Sequence, residues 1–144
     1  MSVRSPSRRS ALRPVTPPAS VGFSFRALLS GLVFSIIFSF VLFLIWSLVF
    51  TVTDLPDRQM LYAAYLTSFL AVLLGGRRAT MAAGGAGLIH GGLVGLLYGL
   101  LLLGASMLIS SIPVTLGATS WGKVAANAVI GVIGGIWGAG SRRR

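Results

Sequence analysis

Gly87-Leu88-Ile89-His90-Gly91-Gly92-Leu93-Val94-Gly95-Leu96-Leu97-Tyr98-Gly99 is the stretch that decides the fold. Gly87, Gly91, Gly95 and Gly99 recur at every fourth position, which sets them along one side of an α-helix. Glycine costs about 1 kcal/mol against alanine in the interior of an exposed helix. Four in register therefore need a physical reason. In lipid no hydrophobic effect drives helices together, and association relies on van der Waals packing between small, flat surfaces. The row predicts a membrane helix whose backbone closely approaches another backbone, a glycine zipper.

Matching rows occur on both sides of this stretch. Asn127, Gly131, Gly135 and Ala139 repeat the spacing of four near the C-terminus, with Gly134 and Gly138 beside them. Gly31, Ser35 and Ser39 form an earlier row, and Ala64, Ser68, Ala71 and Gly75 supply two shorter pairs. The favoured reading is that Gly87, Gly91, Gly95, Gly99, Asn127, Gly131 and Gly135 pack one bundle. The alternative is that one row faces another subunit or a partner's helix. Gly91→Leu separates them: it disrupts the fold in the first case and only the complex in the second.

The whole composition agrees with lipid as the solvent. Of 144 residues, 55% are hydrophobic and only 10% charged, against about 25% charged in an ordinary soluble domain. Mean hydropathy is +0.90. These values exclude a soluble globular domain and a disordered chain. The net charge of +10 would suggest nucleic acid in a soluble protein. Here the basic residues sit at the ends of apolar segments, where they encode membrane orientation. No aromatic residue precedes Phe23, so the basic tail offers bases no stacking platform, and nucleic acid is not expected as a partner.

Charges divide the chain into spans. Twenty-seven uncharged residues separate Arg26 from Asp54, and 18 separate Arg58 from Arg77. Another 44 lie between Arg78 and Lys123, interrupted by Pro113 with Ser110, Ser111 and Thr115, and 18 lie between Lys123 and Arg142. A span needs about 20 apolar residues. The expected helices are 27–52, 56–76, 86–109 and 121–139, inside a four-helix transmembrane domain at 26–140. Asp54 before Leu55-Pro56 is an expected N-cap for the second helix, and Thr119 or Ser120 for the fourth. Tyr62, Tyr65 and Trp121 mark one membrane interface, and Phe23, Phe25 and Trp137 the other.

Residues 1–25 read as a disordered basic tail, with Arg4, Arg8, Arg9 and Arg13 among serines and prolines. The apolar stretch behind it is too long for a signal-peptide core and lacks a small-x-small cleavage site, so it reads as an uncleaved signal anchor. Lys+Arg counts orient the chain. The tail through Arg26 carries five, the expected loop 77–85 two, and the basic C-terminus at 141–144 three. The loops at 53–59 and 110–120 carry one and none. Both termini are therefore expected in the cytoplasm, with the other loops outside.

Little in the sequence carries chemistry. No cysteine is present, which removes disulfides and thiolate metal sites. The two acidic side chains, Asp54 and Asp57, fall in an outer loop. No acid therefore sits at mid-membrane, where a proton-driven transporter usually needs one. Paired carboxylates for acid–base work and an oxygen cage for a divalent cation are likewise missing. His90 and Asn127 form the candidate polar site. For His90, packing or interfacial placement is favoured over a proton or metal role, because a lone histidine without a Cys or carboxylate partner is a poor metal site. For Asn127, an amide hydrogen bond between helices is favoured over contact with a substrate. No catalytic residue, metal or cofactor is expected.

Two weaker patterns are also present. Ser30-Gly31-Leu32-Val33 with Gly75-Gly76, against Gly91-Gly92-Leu93-Val94 with Gly134-Gly135, suggests two duplicated hairpins related by an axis along the membrane normal. Ala125-Ala126-Asn127 with Gly131 faintly resembles a helix of four-span fluoride channels. The phenylalanine- and threonine-rich motif of those channels is missing, and the match is rejected.

Leu73-Leu74-Gly75-Gly76 followed by Arg77-Arg78, the glycine-spaced run through His90-Gly91-Gly92 and Gly95 to Gly99, and Gly131 through Gly135 near the chain's end carry a broader likeness. The layout resembles the YrzE-like family of small bacterial four-span proteins, a domain of unknown function found mainly in Gram-positive spore formers. The resemblance covers about 26–140, excludes the basic tail, and implies the architecture without supplying site residues. The expectation is an all-α integral membrane four-helix bundle with small-residue packing. Its expected role is non-enzymatic, accessory or structural, through transmembrane helix contacts. Its expected partners are the lipid bilayer and either a second copy or another membrane protein. The alternative is a small oligomeric transporter or channel subunit, which would line a wet path between subunits with Asn127, His90, Ser35 or Ser39.

Overall fold

The computed structural model describes residues 23–53, 56–109 and 118–141. Among them are four helices: α1 (Phe25–Val52), α2 (Asp57–Ala83), α3 (Gly87–Ile109) and α4 (Ala118–Ser141). Each is long and apolar enough to cross a membrane. The shortest, α3, has 23 residues, about 35 Å at the helical rise, against about 30 Å of hydrocarbon. The fold is all-α, and the chain is a multi-pass membrane protein.

The helix ends depart from the sequence expectation by at most three residues, except the end of α2, which departs by seven. α2 does not stop at Gly76 but continues through Ala83, so Arg77 and Arg78 lie on a helix and not in a loop. Arginine is a good helix former, and its long stem lets the cation reach an interface while the backbone stays helical. The real stop is Gly84, whose left-handed backbone (φ 81°) lets its N–H close on the Thr80 carbonyl. The expected caps also differ. The N-cap position of α2 is Pro56, with no side-chain cap, whereas Asp54 lies outside the described residues. Thr119 and Ser120 fall within α4, not before it. The cap that sequence reasoning missed is Ser24, whose hydroxyl accepts from the Ala27 N–H at 3.4 Å at the start of α1. Of the expected tail 1–25, residues 1–22 lie outside the described residues, whereas Ser24 caps α1 and Phe25 already belongs to it; the Pro113 loop and 142–144 also lie outside the described residues.

Successive helices run antiparallel. Gly31 of α1 meets Gly75 and Ala79 of α2, and Gly87 of α3 meets Gly135 of α4. α2 and α4 run parallel, because Ser68 meets Asn127 and Arg77 meets Gly138. α4 packs on α2 and α3 and makes no contact with α1, whereas α1 lies mainly on α2. One end of the bundle therefore gathers the starts of α1 and α3 with the ends of α2 and α4. It carries Arg26, Arg77 and Arg78 and is called the basic end here.

Burial is uneven along the membrane normal. On α1 the buried residues are Ala27, Leu28, Gly31, Ser35 and Ser39, and none lies beyond the middle of the helix at Ser39. On α3 they run from Gly87 to Gly99 and stop there. Beyond those points Phe40, Phe43, Leu44, Leu48, Leu101 and Leu108 are exposed. Small residues dominate the core: Ala71, Val72, Ala79 and Val94 are fully buried, with Leu28 and Tyr98 as larger members of the same clusters.

Candidate functional site

The seven packing residues singled out from sequence lie on two facing helices. Gly87, Gly91, Gly95 and Gly99 are all buried on α3, and Asn127, Gly131 and Gly135 are all buried on α4. The two rows meet in antiparallel register. A Cβ added at Gly91 would overlap the Gly131 carbonyl oxygen, and one added at Gly131 would overlap that of Gly91. A Cβ at Gly87 would collide with the Gly135 carbonyl, and one at Gly95 with the Asn127 carbonyl. Contact loosens at the far end, where a Cβ at Gly99 would stand 3.1 Å from Val124 Cα. No side chain fits between the backbones across these three turns. Such close approach also suits weak Cα–H···O contacts.

α4 is in contact on a second side as well. A Cβ at Gly134 would overlap the Leu73 carbonyl of α2, and one at Gly138 would lie 2.6 Å from that of Arg77. Between α1 and α2, a Cβ at Gly31 would lie 2.7 Å from the Gly75 carbonyl oxygen, and one at Gly75 would strike the Ser35 hydroxyl. The proposed equivalence of Gly92 with Gly31 and of Gly134 with Gly75 therefore fails at the contact level. Gly134 is turned toward α2, and Gly92 meets only the Val132 side chain at 3.0 Å.

Polar side chains tie the same helices together. Ser68 of α2 donates to Asn127 Oδ1 at 3.0 Å. Ser35 and Ser39 donate to the carbonyls of Gly31 and Ser35, four residues back on their own helix. Ser39 Oγ also lies 2.6 Å from Tyr98 Oη. The single Ser39 proton already goes to Ser35, so Tyr98 is the donor in this bond between α1 and α3. Thr80 donates to the Gly76 carbonyl at 3.0 Å. Thr67, fully buried on α2, has a hydroxyl without a hydrogen-bond partner.

His90 is fully buried and occupies a junction of three segments. Its Nδ1 lies 3.2 Å from the Ala86 carbonyl, which can only accept, so Nδ1 carries the proton. Its Nε2 then accepts from the Ser24 N–H at 3.1 Å. The Phe23 ring stacks on the imidazole at 5.5 Å between centroids. One neutral ring thus holds the start of α1 against the start of α3. Both ring nitrogens are occupied by the chain itself, and no cluster of three or more metal-ligating side chains occurs among the described residues.

Cations and aromatic rings pair at both ends. At the basic end the Arg77 guanidinium lies 4.4 Å over Trp137, and Arg78 lies 4.8 Å over Phe34. At the opposite end Lys123 stands 6.0 Å from the Tyr65 ring. Such pairs suit the interface, where a ring face and a charge are both partly desolvated. His90 and Asn127, the two candidate polar residues, do not meet: His90 sits at the α1–α3 junction and Asn127 faces Ser68 deeper in the bundle. Sequence reasoning missed Phe23, Ser24 and Tyr98 as their partners or analogues. The serine directly before a long apolar run was a legible cap signal; the Tyr98–Ser39 pairing depends on helix rotation and was not.

A family model described as a protein of unknown function, DUF3792, matches residues 24–138. No curated protein and no solved structure matches the chain.

Proposed function

For a chain that belongs to the DUF3792 family, whose description assigns no activity, we propose a non-enzymatic accessory or structural role in the bacterial cell membrane, exercised through helix contacts and held in shape by glycine packing. The observation that carries this reading is the treatment of intramembrane polarity. Ser35, Ser39, His90 and Asn127 are all buried, and each makes its hydrogen bonds inside the chain. Apart from Arg26 at the start of α1, the large side chains left exposed on α1 and α3 are apolar. A lipid-facing or helix-facing surface of this kind transmits contact. A pore or carrier needs polar groups that can exchange partners with a solute. The finer likeness to the YrzE-like proteins rests on the glycine runs that α2, α3 and α4 bring into contact. Cytoplasmic termini rest on the Lys+Arg asymmetry and on the clustering of Arg26, Arg77 and Arg78 at one end.

The test is purification of the full chain in mild detergent followed by native mass spectrometry. The expected result is a defined complex, either with a second copy or with another membrane protein. A clean monomer without companions argues against the role. Solute flux in reconstituted vesicles that is abolished by Asn127→Leu would replace it with the transporter reading. For orientation, the cysteine-free sequence makes Ser141→Cys a single reporter. It should resist a membrane-impermeant thiol reagent in intact cells and react after lysis.

A further inference from the structure

Beyond that contact role, and independent of it, a groove at the basic end has the form of a lipid site. It is lined by Arg26, Leu29, Ser30, Val33, Phe34, Ile37 and Arg78 and has a volume of about 400 Å³. We propose that it seats one anionic glycerophospholipid, with the phosphate between Arg26 and Arg78 and an acyl chain along Leu29, Val33, Phe34 and Ile37.

Charge complementarity argues for this occupant. Arg26 and Arg78 both lie on the rim and both are exposed. The only carboxylate side chains in the chain are Asp54 and Asp57. Asp57 stands 21 positions before Arg78 on the same helix, about 31 Å away by the helical rise. The start of α2 is therefore remote from Arg78 along the helix axis, and both arginines face a membrane surface where lipid phosphates are the abundant anions. Arg78 is also held in place. Its guanidinium rests over the Phe34 ring, and such stacking leaves the N–H edge free to bond a phosphate.

Length argues for the acyl chain. The apolar lining falls at positions 29, 33, 34 and 37, one side of α1. From Arg26 to Ile37 is about 16 Å along the helix axis, close to half of the roughly 30 Å hydrocarbon thickness. The groove thus runs from headgroup level toward the midplane. A free phosphate would use only its upper end.

The test uses the full chain in nanodiscs of equal phosphatidylglycerol and phosphatidylcholine, then extraction and native mass spectrometry of retained lipid. One phosphatidylglycerol per chain is expected in preference to phosphatidylcholine. Each arginine should contribute about fivefold to that preference, so Arg26→Gln with Arg78→Gln should lower it by about 25-fold. Val33→Trp fills the groove without touching charge and should abolish retention; Ile37→Trp repeats the block one turn deeper if Val33→Trp lowers the melting temperature. Arg8→Gln with Arg9→Gln removes tail charge and should leave the retained lipid in place. Inorganic phosphate and glycerophosphoglycerol, which lack acyl chains, should not displace it. Equal retention of both lipids, retention that survives the double arginine variant or both tryptophan variants, or displacement by inorganic phosphate overturns the proposal.

Discussion

The two halves of this bundle follow different packing rules. In the half that contains the basic end, helices touch through backbone: Gly31 on Gly75, Gly87 on Gly135, Gly91 on Gly131, Gly134 on Leu73. In the opposite half, α1 and α3 present Phe43, Leu48, Leu101 and Leu108 outward, and Gly104 and Gly122 have nothing within 4 Å of an added Cβ. Glycine alone therefore does not make a contact. Gly104 is as small as Gly91, yet it faces open space because no row on a facing helix matches it. What closes the first half is coincidence of two rows in register.

Substitutions sharpen this contrast. The largest effect is expected from Gly131→Leu, which drives a side chain into the Gly91 carbonyl with no room on either side. Overpacking of this kind should cost about 3 kcal/mol or more, read as loss of the folded fraction in a denaturant titration in detergent. His90→Ala comes next. It leaves the part-buried Ser24 N–H without its acceptor and removes the ring stacked on Phe23, for a cost of about 1–2 kcal/mol. Limited proteolysis should then show earlier cleavage ahead of α1. Tyr98→Phe removes only the donor to Ser39, whose own hydroxyl keeps its bond to Ser35. The expected loss is about 0.6 kcal/mol, and a double-mutant cycle with Ser39→Ala should assign it to the pair. Gly104→Leu, in the open half, should change stability by less than about 0.5 kcal/mol. A large loss there would mean that a partner helix covers that face.

Much of the architecture was legible because lipid simplifies the code. Segments without charge had to be helices, and the glycine spacing identified which sides of α3 and α4 meet. The misreadings share one cause: polarity was taken as the end of helix. Arg77 and Arg78 looked like a loop, yet their cations settle over Trp137 and Phe34 while the helix continues to Gly84. Gly84-Gly85 was the stronger punctuation, since among the described residues the backbone takes positive φ only at these two glycines and the adjoining Ala86. The polar pairings were less legible. Whether His90 meets a metal, a lipid or Ser24 depends on how far α1 has slid along α3, and a single sequence carries no record of that sliding.

One feature of the topology bears on how the molecule is made. α4 follows α1, α2 and α3 in the chain, and it packs against Leu73 and Arg77 of α2 and Gly91 of α3. Until it arrives, those carbonyl ridges stand bare toward whatever shares the insertion site. Closure of the bundle thus waits on α4, and a chain cut short before it would expose to the cell's surveillance proteases the surface that the packed helix conceals.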